Sequence, residues 1–398
     1  MAVTTRLAAL CVVLLVTACG AQSADNEPLP PPVPVARQVP ADMAALVSAT
    51  DAFGLDLVTA PALADKTNLV VSPVSASLAL QMAAAGAAGE TAAQMTKVLH
   101  LPQGVRPALP AFDQTDLKLS NTAWVQQGLT LKPRYTEALG DQFGTTMNEA
   151  DFVRDSDAAR GRINKTVADQ TAGKITDLFP PDAITRDTRL VLTNALYLKA
   201  AWAREFPRER TRDMPFTRAD GSTVTVPMMH NDPKAQLGYA QGPGYQVVTL
   251  PYRGGRLAFT VIAPASIEVL RGQGIAEILS QVRPTAVQLA MPRFTTRSEL
   301  DLKETLVQAG MPLAFTPSAD FSGITDDEAL LIASVRHKTF VQVDEEGTEA
   351  AAATGVEMQP VSAPAYRTVT VDRPFLFVIT DTATGAPLFL GRINDPTQ

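Results

Sequence analysis

Side chains capable of catalysis are few in this chain and lie far apart. Three histidines stand at positions 100, 230 and 337 and two cysteines at 11 and 19, too sparse and scattered for a zinc or haem site. No Gly-x-Ser-x-Gly elbow, Ser-x-x-Lys pair, Gly-x-x-x-x-Gly-Lys-Ser/Thr loop or His-Glu-x-x-His helix occurs. No local pattern sets a histidine beside a serine nucleophile, and a cysteine protease is excluded because no thiol lies beyond position 19. No catalytic residue, cofactor or metal is therefore expected. The segment that stands out is of another kind and carries no catalytic group. Glu345-Glu346-Gly347-Thr348-Glu349-Ala350-Ala351-Ala352-Ala353-Thr354 opens a run of small side chains. In extended geometry Thr348, Ala350, Ala352, Thr354, Val356 and Met358 share one face, and Glu349, Ala351, Ala353, Gly355, Glu357 and Gln359 the other. Period two with apolar residues on one side is the pattern of a half-buried strand. Alanine and glycine are poor strand formers, so the segment becomes a strand only if neighbouring strands make it one. Pro360 ends the ladder, since it has no N–H to donate. From Thr348 to Gln359 the span is ~40 Å at ~3.3 Å per residue, enough for a full-length strand. By composition alone the same run reads more readily as a flexible Ala-rich linker.

A strand of this sort needs neighbouring strands to pair with, and the rest of the chain can supply them. The 398 residues are 46% hydrophobic and 19% charged, a composition that buries a core. Helical spacing of apolar residues marks Ala44 to Val58, and Ser75 to Ala88 is rich in Ala, Leu and Met. Later, Leu190-Val-Leu, Val224-Thr-Val, Gln246 to Leu250, Leu257 to Ile262, Ala286 to Met291, Phe340 to Val343 and Phe375 to Ile379 mix β-branched and aromatic residues between turn signals. Helices early and strands later predict an α+β fold, in one domain over residues 41–398. Thirty-four basic against 41 acidic residues give a net charge of −7 without any block of Lys or Arg. Nucleic acid and heparin-like polyanions are therefore not expected partners.

The N-terminus reads as an export signal. Residues 1–18 carry Arg6 and then an apolar run from Leu7 to Val16, too short to span a bilayer. Val16-Thr17-Ala18-Cys19 resembles the lipobox of bacterial lipoproteins, which implies that Cys19 is acylated and tethers the protein to the cell envelope; plain cleavage after Ala18 would instead give a free extracellular protein. Residues 19–40, with Pro28-Leu-Pro-Pro-Pro-Val-Pro34, read as an extended spacer between lipid and folded body.

Eight motifs then carry a resemblance to the serpin family. They are Asn68-Leu-Val-Val-Ser72-Pro-Val-Ser75; Gly86-Ala-Ala-Gly89 with Thr91 and Gln94; Gly173-Lys174-Ile175 with Leu190 to Trp202; Val226-Pro-Met-Met229; Met291-Pro-Arg-Phe294; Gly310 with Phe315; Ala319-Asp-Phe-Ser-Gly323; and Arg373-Pro-Phe-Leu-Phe377. They follow in family order over roughly residues 41–395. Two positions depart from the family pattern, Thr166 where Trp is usual and Ala200 where Gly is usual. The resemblance implies three β-sheets, eight or nine helices and an exposed reactive loop, here residues 345–368, that can insert into the central sheet as an extra strand. It implies that Glu345, Glu346, Gly347, Thr348, Glu349, Ala350, Ala351, Ala352 and Ala353 form the hinge of that loop. Ser72, Ser75, Asn194 and His337 correspond to the shutter, a polar cluster beneath the opening sheet, and Trp202 to the breach, where the loop first enters. Counting thirteen residues beyond the hinge threonine sets the scissile bond at Val361–Ser362, with Met358 and Ala363 as alternatives because the loop is about two residues long for the family. Val361 is small, β-branched and apolar, which suits a shallow elastase-like pocket. The implied activity is suicide inhibition by a monomer: a serine protease attacks the loop, and insertion traps the covalent acyl-enzyme. Elastase-like or subtilisin-like proteases are the expected targets. A non-inhibitory serpin acting as a binding protein or substrate is the alternative. The helix predicted over Thr91 to His100 bears only Lys97 as a base, so no polyanion site is expected there.

Overall fold

The computed structural model describes residues 40–102, 117–232, 236–266, 268–348 and 366–398. The signal, the spacer and Cys19 lie outside them, as do Glu349, Ala350, Ala351, Ala352, Ala353, Val361 and Ser362. Among the described residues are eight α-helices and three β-sheets, the α+β architecture expected.

The largest sheet has ten strands and runs from Asn68–Val71 through Pro387–Ile393, Phe375–Asp381, Leu257–Ala263, Tyr245–Pro251, Gln236–Gly242, Arg283–Pro292 and Thr223–His230 to Arg212–Thr217. Arg367–Thr370 lies parallel to Arg283–Pro292. The central strands of the ten-stranded sheet, Leu257–Ala263 and Phe375–Asp381, are buried at every residue, and so are predominantly apolar rather than alternating, with Thr260, Thr380 and Asp381 the polar exceptions. Phe259 stacks on Phe377 at 5.3 Å within this core. Two smaller sheets complete the fold. One orders Thr146–Ala150, Leu117–Gln126 and Leu190–Leu198; the other orders Phe294–Asp301, Arg336–Val343, Gly347–Thr348 and Ala200–Ala201. The chain from Leu190 to Ala201 therefore serves both, first as an edge of one and then as an edge of the other.

Five longer helices surround these sheets: α1 (Ala41–Thr59), α2 (Pro73–Ala84), α3 (Gly89–Val98), α4 (Pro133–Phe143) and α5 (Ser156–Gln170). Helix α2 starts where Ser72 caps it, the hydroxyl accepting from Ser75 N at 3.2 Å, with Pro73 at the first helical position. The apolar stretch expected to stay helical to Ala88 breaks earlier, at Ala84. The reason is tertiary: Gly86 accepts from Gly323 N at 3.0 Å, and a Cβ there would stand 2.2 Å from Ile324. Helix α5 is capped by Asp155, whose carboxylate accepts from Ala158 N at 2.9 Å. It packs on a satellite core of Trp124, Phe152, Ile163, Val167, Phe179 and Val191, separate from the main core that contains α2. Trp124 and Ala123 alternate between these two cores, so α5 and α2 lie on opposite faces of the Leu117–Gln126 strand.

Candidate functional site

The site begins with a turn. At its end Arg336–Val343 reverses through Asp344, Glu345 and Glu346 and returns as Gly347–Thr348. Asp344 builds this reversal: its N–H donates to Gly347 O at 3.0 Å, and its carboxylate accepts from Glu346 N at 3.0 Å and Gly347 N at 3.2 Å. Thr348 then pairs with Val343 on one side and Ala200 on the other, while Gly347 faces Ala201. No other residue fits at 347, since a Cβ would come within 2.2 Å of Ala200 O. Glycine is thus demanded by close approach of two backbones as well as by conformational freedom.

Trp202 grips the turn from the neighbouring strand. Its ring N–H donates to Asp344 O at 2.9 Å, its backbone N–H to Glu346 O at 2.9 Å, and Phe206 N to Glu345 O at 2.9 Å. The indole stacks on Tyr252 at 4.6 Å and 10°. Tyr252 in turn places its hydroxyl 2.5 Å from that of Thr348. Glu345 and Glu346 are buried, against the expectation that residues 345–348 open an exposed loop. Burying carboxylates requires partners, and they have them: Thr211 Oγ1 donates to Glu345 at 2.7 Å, an Arg293 guanidinium nitrogen is 3.6 Å from the same carboxylate, and Arg208 pairs with Glu346. The turn, the ladder and these ions together draw the segment into the protein.

Below the hinge the two smaller sheets part. Among the described residues no ladder joins Leu190–Leu198 to Arg336–Val343, and a cavity of about 390 Å³ runs between them. It extends from Ser72, Ser75 and Ala76 on the α2 side to Val167, Leu178 and Phe179 on the α5 side, so it is a slot through the sheet. Three of the four residues named for the shutter meet on one wall: His337 Nε2 accepts from Ser72 N at 3.0 Å, and Ser72 Oγ from Ser75 N at 3.2 Å. Asn194 is apart from that network. It donates to Asn121 Oδ1 at 2.6 Å, leaving its own side-chain oxygen without a hydrogen bond at the wall of the slot. On the α5 face Lys338 pairs with Asp177 and Glu299 at 3.3 and 3.2 Å, and Lys174 and Arg297 each lie within 5 Å of the Phe340 ring. Sequence reasoning assigned no site role to Tyr252, Arg208, Thr211 or Arg293, which come from three distant segments; only Arg293 lies in a quoted motif, Met291-Pro-Arg-Phe294, and the other three carry no local pattern that could have marked them.

Comparison with known proteins fits this geometry. The family model described as "Serpin (serine protease inhibitor)" matches residues 48–396. The chain belongs to the serpin family. It is 36% identical to an uncharacterized serpin-like protein of Thermococcus kodakarensis over 88% of this chain and 86% of the relative. To the leukocyte elastase inhibitor of Bos taurus it is 34% identical, over 83% of this chain and 93% of that one. Among solved structures, the cleaved Serpin 42Da superposes with a TM-score of 0.78 at 27% identity, covering 90% of this chain and 98% of that one. The fold is thus the serpin fold, and as a serpin the protein is consistent with a protease inhibitor rather than an enzyme.

Within this serpin His337 is the buried titratable group among the residues lining the slot. It is fully buried, and burial pulls its imidazole down from 6.5 to about 4. The bond from Ser72 N also requires Nε2 unprotonated. An unfolded chain binds the proton first as pH falls below about 6.5, so folding stability is lost progressively from there to about pH 4, by roughly 3 kcal/mol in full. Asp51 acts in the opposite sense, since burial lifts its carboxyl to about 6 and the folded form then takes up a proton more readily. The His337→Gln variant keeps an acceptor for Ser72 and separates the two. Denaturant midpoints at pH 7 and 4.5 should fall further in the parent than in the variant; equal drops would show that His337 stays neutral for no energetic reason.

Proposed function

We propose that this serpin inhibits serine proteases by suicide trapping, with residues 348–359 entering the slot as a new strand. The observation that carries the reading is the pair of facing strand edges, Leu190–Leu198 and Arg336–Val343, with a docked hinge at one end of the gap and the alternating segment directly following it. A segment of small side chains fits a narrow slot, and the hydrogen-bonding groups of both edges are then paired. The protease attacks the carbonyl of Val361, its serine forming an acyl bond as the N–H of Ser362 leaves with the C-terminal peptide. The freed loop inserts before water reaches the ester, and the protease is carried with it. Val361 as the acylated residue suits elastase-like or subtilisin-like pockets, and several relatives bear the name leukocyte elastase inhibitor. The exported, Cys19-anchored form is part of the same reading: it sets the inhibitor at the outer face of the cell envelope.

The purified body mixed with elastase-like and subtilisin-like proteases should yield complexes that survive boiling detergent, and with trypsin-like proteases none. Thr348→Arg should convert the inhibitor to a substrate. Thr348 is only 3% exposed, and a guanidinium in its place would be buried without a counter-ion, costing several kcal/mol. The variant should be cut at the same bond and leave the protease active. Complexes undiminished in Thr348→Arg, or absent in the parent, would support the non-inhibitory alternative.

Mass spectrometry of the released C-terminal peptide should find Ser362 at its start. A peptide beginning at Gln359 or Pro364 would move the scissile bond to Met358 or Ala363.

Cys19→Ser should abolish lipid labelling and shift the protein from the membrane fraction to the soluble one, because acyl chains supply most of the binding energy of such an anchor. Among the described residues no helix is long and apolar enough to replace it. Unchanged fractionation would refute the lipid anchor.

A further inference from the structure

We propose that Tyr252 is a positioning residue for the inhibitory reaction, its buried hydroxyl recognising that of Thr348 as the hinge docks; the inference rests on the function proposed above. Tyr252 follows the Tyr245–Pro251 strand and forms an isolated antiparallel bridge with Trp202. Its backbone is held at both ends, its N–H donating to Leu257 O and its carbonyl accepting from Gly255 N, each at 3.0 Å. Its ring is fixed by the Trp202 stack, and Trp202 packs edge-on against Phe206 and Phe259. The phenol is fully buried, which pushes its titration far up and leaves it protonated.

At the mouth of this aromatic pocket Thr348 Oγ1 lies 2.5 Å from the phenol oxygen. Either hydroxyl can donate, and the bond is made only when Thr348 stands in the ladder between Val343 and Ala200. With the hinge elsewhere, Tyr252 would keep a hydroxyl in apolar surroundings without that partner, a standing penalty that docking removes. Smallness alone would be met at 348 by Ala or Val. The pocket adds a demand that only Ser or Thr meets, and so favours docking of this residue in this register over docking of the alanines that follow. In the acyl-enzyme, where insertion races hydrolysis, a first residue held in register beforehand leaves only the residues after it to be inserted.

A double-mutant cycle tests this. Parent, Tyr252→Phe, Thr348→Val, the double variant and Thr348→Ser are titrated against an elastase-like protease, recording inhibitor consumed per protease trapped and the bond cut. Each hydroxyl-deleting single variant should consume about fivefold more inhibitor, because one buried hydroxyl is left unpaired. Thr348→Ser should match the parent. The double variant should be no worse than either single one, since neither hydroxyl remains. The bond cut should not change. Independent effects that multiply in the double variant, or a Tyr252→Phe indistinguishable from the parent, would overturn the proposal. A merely packing role for Tyr252 predicts no rescue by Thr348→Val. If the parent traps no protease, the inhibitory reading fails by itself, and the pair is judged by the same cycle on melting temperatures of loop-cleaved protein: coupling upholds the contact, and additivity rejects it.

Discussion

A strand edge without a neighbour is a row of unpaired N–H and C=O groups, and the organisation of this serpin follows from two such edges facing each other. Leu190–Leu198 and Arg336–Val343 each have a partner on their outer side and, among the described residues, meet a strand on the inner side only where Thr348 and Ala200–Ala201 close the top. The slot runs between α2 on one face and α5 on the other, and those two helices sit on separate cores. Neither half can move to close the gap without disturbing a packed layer, and packed layers resist continuous deformation.

The hinge makes that constraint directional. Asp344 ties the turn, Gly347 lets two backbones approach, and Trp202 donates two hydrogen bonds to carbonyls of the same few residues. Glu345 and Glu346 are buried, and each is paired with a more exposed guanidinium, of Arg293 and Arg208 respectively. Removing one partner of such a pair is far more damaging than replacing both. The buried ions therefore specify one arrangement of the turn more than they add net stability, and they deliver Thr348 to the one position that faces Tyr252.

Much of this was legible beforehand. Strand tracts such as Leu257 to Ile262, interrupted only by Thr260, and Phe375 to Ile379 are nearly continuous apolar runs, which a strand buried on both faces absorbs, so the sequence marks those elements to within a residue or two. The end of α2 was not, because what stops it is Gly323 and Ile324, over two hundred residues away. The polar cluster shows the same boundary. Ser72, Ser75 and His337 could be named from motifs, yet whether Asn194 shares their network depends on how far apart the slot holds its walls.

The sequence by itself determined the kinds of residue: a glycine before a threonine, small alternating side chains after it, no catalytic group, and an ordered set of family motifs. Those properties are local, written in side-chain size, backbone freedom and spacing. Which residues surround Thr348 was decided by the tertiary structure alone. Tyr252, Trp202, Ala200 and Val343 reach it from separate strands whose register is set by long-range ladders and core packing. Contacts of that sort cost loop-closure entropy and are repaid only when the whole sheet forms, so no window of the chain contains them.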